Sequence, residues 1–174
     1  MSNWNKIFKP IVVLCAICVV ITGALALTNS VTAPIILEAT IAAQNAARQE
    51  LVPDAASFDK VEGIQVENVS DIYVADNGCA VITCAGKGYG GTITVMVAFN
   101  TDDTIKQIKI TEQAETAGLG SKIVSEPSFQ ASFAGLPAED FTVSDISAIS
   151  GATISSKAVT AAVNAAIDAY ALIP

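Results

Sequence analysis

The sequence has 174 residues, enough for one compact domain and an extension, and its net charge is −8. The acidic balance argues against a nucleic-acid partner, because binding to a phosphate backbone needs a basic surface. The chain has no histidine, which excludes Ser-His-Asp catalysis, Cys-His catalysis and every histidine-ligated metal site. Hydrophobic residues make up 52% of the chain and charged residues only 15%, so a membrane segment is the first element to look for.

The first element is an uncharged apolar run that extends from Pro10 to Leu37. Its strongest stretch, Ile11 to Thr28, is as long as the ~17–25 residues of a membrane-spanning helix. Lys6 and Lys9 precede it, so the positive-inside rule predicts a cytoplasmic N-terminus and an extracytoplasmic remainder. A cleaved signal peptide is the alternative, since Ala24-Leu25-Ala26 fits a cleavage pattern. The run is longer than a usual signal core, and a retained single-pass anchor is the main interpretation.

The predicted boundaries divide the chain into four parts. They are a cytoplasmic tail at 1–9, a transmembrane helix at 10–30, a juxtamembrane helix at 31–52 and an extracytoplasmic domain at 53–174. Pro34 suits the first turn of the juxtamembrane helix, which either continues from the membrane helix or bends away from it, and Pro53 ends it after Val52.

The outer domain begins with several adjacent strands. In chain order the pattern predicts a polar connector at 52–64, two strands within 71–85, a glycine-rich turn at 86–91, a half-buried strand at 92–100, a strand at 105–111, a loop at 112–123, a short helix or turn at 127–136 and a possible strand at 141–144. The first two strands are joined by a hairpin at Asp76-Asn77-Gly78.

A helix that begins at Thr153 is the last predicted element. Its core face is predicted from apolar residues at helical spacing: Val159, Val163, Ala166, Ile167 and Tyr170. Strands that follow one another, with helices at either end, indicate an α+β fold with a largely antiparallel, twisted sheet flanked by helices. A doubly wound nucleotide-binding fold is not expected, because strands and helices do not alternate.

The four cysteines are too few and too unevenly spaced for a disulfide framework. Cys15 and Cys18 lie in the apolar run, where the main interpretation is that they pack as small hydrophobic residues. Ligation of a metal or cluster shared with a partner chain is the alternative. Cys79 and Cys84 are five residues apart in strand-like sequence, so they are predicted to point to opposite faces.

Three glycine- or serine-rich patches follow the anchor, at 87–97 (KGYGGTITVMV), 115–123 (ETAGLGSKI) and 150–156 (SGATISS). Taken singly, they are turns or a helix N-terminus. Taken together and in this order, they resemble the FMN-binding G subunit of the Rnf ion-translocating electron-transport complex. The chain is also similar, more distantly, to the C subunit of the Na⁺-translocating NADH:quinone reductase.

The resemblance implies a function, a cofactor and partners. In that family FMN is joined through its phosphate to the last threonine of the S-G-A-T motif, here Thr153, by a separate flavin transferase. The implied protein is an electron-relay subunit, anchored in a prokaryotic cell membrane, of a translocase that couples ferredoxin/NAD⁺ chemistry to Na⁺ or H⁺ transport. Its implied partners are the other membrane subunits of the complex, including a second flavin-carrying subunit.

The expected cofactor-binding residues come from two of the patches. They are Ser150, Gly151, Ala152, Thr153, Ser155, Ser156, Glu115, Thr116, Gly118, Leu119, Gly120 and Lys122. A helix N-terminus suits a phosphate because its N–H groups are unpaired and its dipole end is positive. We expect Ser155 and Ser156 to add hydrogen bonds to the phosphate, and Lys122 either to counter its charge or to remain in solvent.

Two positions depart from the family pattern. Ser147 stands where the family usually has an acid, three residues before the motif serine, and Asp145 lies two residues earlier. Ala117 replaces the proline of the E-T-P-G-L-G loop, which affects loop stiffness. The rival hypothesis is an anchored extracytoplasmic binding or scaffold domain without a cofactor.

Overall fold

The computed structural model of the chain describes residues 8–173. It divides into two compact units, 1–43 and 44–174. Helix α1 spans Lys9–Leu51 and, within the described residues, is the one helix long and apolar enough to cross a membrane. Pro34 lies inside this helix, so the predicted juxtamembrane segment continues from the anchor and does not bend away into a separate helix. The end of the helix before Pro53 is confirmed. Lys6 and most of the predicted tail at 1–9 lie outside the described residues.

The second unit contains a five-stranded sheet in which each strand pairs with the next along the chain, always antiparallel. The strands are β1 (Phe58–Lys60), β2 (Val69–Ala75), β3 (Ala80–Lys87), β4 (Thr92–Phe99) and β5 (Ile105–Glu112). The predicted hairpin between β2 and β3 is confirmed, and Gly78 in its turn has a φ of 85°, which glycine adopts without strain. The α+β class and the antiparallel sheet are therefore correct.

Three helices follow the sheet: α2 (Lys122–Ser125), α3 (Pro127–Ala131) and α4 (Thr153–Tyr170). Helix α4 begins at Thr153, as predicted, and packs mainly on β3 and β4. Its predicted core face is confirmed, since Val159, Val163 and Ala166 are fully buried. These side chains join the inner residues of the strands in the main hydrophobic core.

The opposite face of the sheet is covered as well. Ala47 and Leu51, in the last turns of α1, form a second apolar cluster with Met96 and Ala98 of β4. Both faces of β4 are therefore buried, and the prediction of a half-buried strand is wrong because the sequence of β4 alone does not show which segment covers its outer face. The opposed orientation of Cys79 and Cys84 is confirmed, because each belongs to a different cluster. Both are free thiols, and burial raises the pKa of Cys84.

Two segments differ from the sequence prediction. The polar connector contains the short strand β1, which pairs with β2. The possible strand at 141–144 is absent from the described structure, because Asp145 closes a turn there. Its carboxylate accepts hydrogen bonds from the backbone N–H and the hydroxyl of Thr142, both at 2.8 Å. Those two bonds lower the pKa of Asp145.

Candidate cofactor site

The three patches meet at a surface cavity of about 300 Å³. The turn between β3 and β4, the loop after β5 and the first turn of α4 each contribute to its wall. The lining residues are Tyr89, Glu115, Thr116, Leu119, Gly120, Gly151, Ala152, Thr153, Ile154 and Ser155. Segments separated by dozens of residues in the sequence therefore form one site.

Glu115 joins the three patches directly. One carboxylate oxygen accepts a hydrogen bond from the backbone N–H of Gly90 at 2.9 Å, and the other accepts one from the Ser155 hydroxyl at 2.5 Å. The neighbouring glycines leave room for this carboxylate. A Cβ atom at Gly88 or Gly120 would lie 2.3 Å or 2.5 Å from one of its oxygens. A side chain at either position would displace the Glu115 carboxylate from these contacts.

The N-terminus of α4 opens onto the cavity. Its N-cap residue is Ala152, and no side chain caps the helix end. The first N–H groups of a helix have no intrahelical partner, so this end is suited to an anion. Gly151 has a φ of +82°, with nothing within 4 Å of an added Cβ, so the backbone conformation favours glycine there. Thr153 is the first helical residue and is exposed.

Large apolar side chains surround the threonine and remain uncovered. Tyr89 is 76% exposed, Leu119 57% and Ile154 54%. Uncovered apolar side chains grouped around one cavity indicate a surface that a ligand or partner covers. Tyr89 and Ile154 were absent from the sequence-based site prediction. Tyr89 could have been found as the aromatic residue of the first patch, and Ile154 as an apolar residue off the core face of α4.

Several expected site residues lie outside the cavity wall. Ser156 is fully buried, and its hydroxyl oxygen accepts a hydrogen bond from the N–H of Ile149 at 3.2 Å. Lys122 lies 3.8 Å from the carboxylate of Glu126, one helical turn away. Ser150 and Gly118 are exposed without lining the cavity. The other expected residues are brought together around Thr153.

Within residues 8–173, no group of three or more Cys, Asp or Glu side chains is arranged to hold a metal ion. Cys15 and Cys18 are exposed on α1. The cavity at Thr153 is therefore the principal candidate site of the described part of the chain.

The cavity lies within a part of the chain that matches a known family of domains. The family model described as FMN-binding domain matches residues 88–168, a range that contains every residue lining the cavity. A second family model, RnfG N-terminal region, matches residues 1–51.

Similar proteins extend over nearly the whole chain. The G subunit of the Na⁺-translocating ferredoxin:NAD⁺ oxidoreductase complex of Acetobacterium woodii is 34% identical, over 97% of this chain and 93% of its own length. The G subunit of the proton-translocating complex of Clostridium ljungdahlii is also 34% identical, over 96% of this chain and 93% of its own. The G subunit of the ion-translocating oxidoreductase complex of Methanosarcina acetivorans is 32% identical, over 97% and 96%. Identity at this level along almost the full length shows that the chain belongs to the family of Rnf-type complex G subunits.

Proposed function

We propose that the chain is the membrane-anchored electron-transfer subunit of an ion-translocating ferredoxin:NAD⁺ oxidoreductase complex, and that it carries FMN as a phosphoester of Thr153. The observation that carries the proposal is the position of Thr153. Its hydroxyl is exposed at the uncapped end of α4, beside a cavity whose apolar side chains are uncovered. The family match to an FMN-binding domain over the same residues supports it.

The residues present fit FMN at both of its ends. The N–H groups at the start of α4 suit the phosphate, because the helix end carries partial positive charge. Tyr89, Leu119 and Ile154 offer apolar surface for the isoalloxazine ring, while Thr116 adds a hydroxyl to the wall. The bound flavin would supply the electron chemistry, and the protein would supply position and local charge.

A covalent tether suits a shallow site. In the linking step the Thr153 hydroxyl would give its proton to a base of the transferase and its oxygen would bond to the flavin phosphorus. The bond from that phosphorus to the second phosphate of a flavin dinucleotide donor would break, and a nucleoside monophosphate would leave. The tether keeps the flavin at high effective concentration without a deep pocket. The ring can then stay accessible to redox partners. Ser150, Gly118, Lys122 and Ser156 remain outside the cavity wall, and we assign them a supporting role.

The proposed setting is a prokaryotic cell membrane. Residues 10–30 would span it, with 1–9 in the cytoplasm, 31–52 beside the membrane and 53–174 on the outer side. The relatives' names describe them as subunits of complexes. We infer that this chain likewise assembles with other membrane subunits, including a second flavin-carrying subunit, and is matured by a flavin transferase. The coupling ion would be Na⁺ or H⁺.

The test is electron transfer by the assembled complex with Thr153→Val. We expect membranes that contain this variant to lose electron transfer from reduced ferredoxin to NAD⁺, although the complex still assembles. Thr101→Val is the matched control, since Thr101 is an exposed turn residue outside the cavity. Full activity of the Thr153 variant would favour the scaffold alternative, in which the domain has no cofactor.

A further inference from the structure

A second groove adjoins the Thr153 cavity and shares Ile154 with it. It has a volume of about 380 Å³ and lies between the end of β3 and the first turns of α4. Its walls are formed by Asn68, Ala85, Gly86, Lys87, Ile154, Lys157, Ala158 and Ala161. Neither Lys87 nor Lys157 belongs to the site derived above.

The charged residues that line this groove are both positive. They are Lys87 and Lys157, and both are exposed. Lys60, Lys109 and Lys122 each lie beside a carboxylate. Within residues 8–173, Lys87 and Lys157 form no ion pair, as is also true of Lys9 and Lys106, but only Lys87 and Lys157 line a common groove. Two uncompensated ammonium groups in a chain of net charge −8 indicate a local site for an anion.

The geometry directs this positive charge toward Thr153. Lys157 follows Thr153 by four residues, so the two lie on the same face of α4, one turn apart. Because side chains on a helix lean toward its N-terminus, the Lys157 ammonium group is within reach of the turn that contains Thr153. Lys87 is held beside this turn by close packing. A Cβ atom on its neighbour Gly86 would lie only 2.0 Å from the carbonyl oxygen of Ala158.

We propose that Lys87 and Lys157 hold the phosphodiester that links FMN to Thr153. The inference rests on the proposed function and extends it, because it assigns the phosphate its counter-charges. A phosphodiester carries one negative charge, and the two ammonium groups join the helix end in neutralising it. Tyr89 and Leu119, which line the cavity on the other side of Ile154, would then be left to hold the isoalloxazine ring. Lys122, the cation that the sequence suggested, is beside Glu126 instead.

The experiment compares full-length variants co-expressed with the flavin transferase. The test variants are Lys87→Gln/Lys157→Gln together and Lys157→Gln alone. Lys87→Arg/Lys157→Arg keeps both charges. Lys60→Gln/Lys106→Gln removes two charges elsewhere and serves as the matched control. Intact mass gives the FMN content, and thermal unfolding of loaded and unloaded protein gives the gain in melting temperature on loading.

The expected result is that the gain in melting temperature on FMN loading depends on salt concentration. In the wild type the gain should fall between about 10 mM and about 1 M salt, where the Debye length shortens from about 30 Å to about 3 Å. The double Gln variant should show a smaller gain that no longer depends on salt, the single Gln variant an intermediate one, and the Arg variant and the control the wild-type behaviour.

Two results would overturn the assignment of the lysines. One is a wild-type gain that does not change with salt, and the other is a double Gln variant that matches the wild type. An equal loss in the Lys60/Lys106 control would also refute it, because the effect would then follow net charge. A wild-type chain without covalent FMN would instead refute the proposed function, so the two failures are distinguishable by mass.

Discussion

At the scale of single residues, Glu115 organises the site. The sequence placed it among the cofactor contacts, but its carboxylate bonds to Gly90 and Ser155, 25 and 40 residues away. Those partners could not be predicted, because no local pattern encodes contacts across such separations. The glycines of the patches could be recognised as a group, but only the structure shows that Gly88 and Gly120 leave room for the Glu115 side chain.

Replacement of Glu115 tests this bridging role. Glu115→Ala should lower the free energy of unfolding by about 1–3 kcal/mol, since the Gly90 N–H and the Ser155 hydroxyl lose a charged acceptor. Glu115→Gln should cost less, because the amide keeps an acceptor and a donor. Urea unfolding of the unloaded, detergent-solubilised chain measures both. Glu112→Ala, at the exposed end of β5, is the control, and an Ala variant at position 115 as stable as this control would show that the bridge is unimportant.

At the scale of elements, the site depends on how β3 and α4 pack. The sequence predicted both elements, the first residue of α4 and its core face, because helical and strand periodicities are local signals. It did not reveal that Gly86 touches the backbone of α4 at Ala158. The sequence also did not reveal that the outer face of β4 is buried, because that face is covered by the end of α1, which is distant in the sequence.

Gly86→Ala should be the most disruptive of the glycine substitutions in the first patch and its flanking strand. Its Cβ atom would meet backbone 2.0 Å away, so β3 and α4 would have to separate, at a cost of about 1–3 kcal/mol or more. Gly91→Ala is the matched control, because its Cβ would meet only the Ala114 side chain at 3.2 Å. Thermal unfolding of both variants decides the point, and equal melting temperatures would contradict the close packing of Gly86.

The C-terminal end of α4 predicts a pH effect. Tyr170 stacks on Phe99 with ring centroids 4.5 Å apart. Its hydroxyl shares one proton between two acceptors, the Asp103 carboxylate at 3.0 Å and the backbone carbonyl oxygen of Asn100 at 3.2 Å. The pKa of Tyr170 is raised to about 12, mainly because the phenol is partly buried. The hydrogen bond to Asp103 and the negative charges of Asp103 and Asp102 raise it further. Because the folded state holds this proton more tightly, the contribution of Tyr170 is complete below pH 10 and is lost as the pH rises to about 12.

Tyr170→Phe should therefore weaken the alkaline loss of stability. The variant should melt at a lower temperature than the wild type at neutral pH, where it lacks the hydrogen bonds. The difference should shrink between pH 10 and about 12. Melting curves over that interval measure it. A constant difference at every pH would mean that the hydroxyl titrates as it does in the unfolded chain.

At the scale of the whole molecule, the fold and the family were predicted mainly from the amino-acid composition and from the order of the segments along the chain. The uncharged run predicted an anchor, and the sequence of strands predicted the antiparallel sheet. The order of the three patches suggested the family, which the full-length relatives established. The groove between β3 and α4 could not be predicted from the sequence, because Lys87 and Lys157 line one groove only when β3 packs on α4.

The proposed orientation predicts which part of the chain a protease can reach. The positive-inside rule, applied to Lys6 and Lys9 before an uncharged run, predicts a cytoplasmic N-terminus. Protease added to sealed, right-side-out cells should remove residues 53–174 and leave the membrane segment. Immunoblots for each end of the chain provide the measurement. Protection of residues 53–174 until the membrane is opened would show that the proposed orientation is wrong.

The central claim, that the Thr153 hydroxyl carries the flavin, is tested most directly by intact mass after co-expression with the transferase. The wild type should show the added mass of an esterified FMN, and Thr153→Val should show none. Thr153→Ser should load less completely, because it keeps the hydroxyl and loses the methyl group. Since Thr153 is exposed and is not the N-cap, the Val variant should stay within about 0.5 kcal/mol of wild-type stability. A folded Val variant that still carries covalent FMN would contradict the claim and place the tether elsewhere.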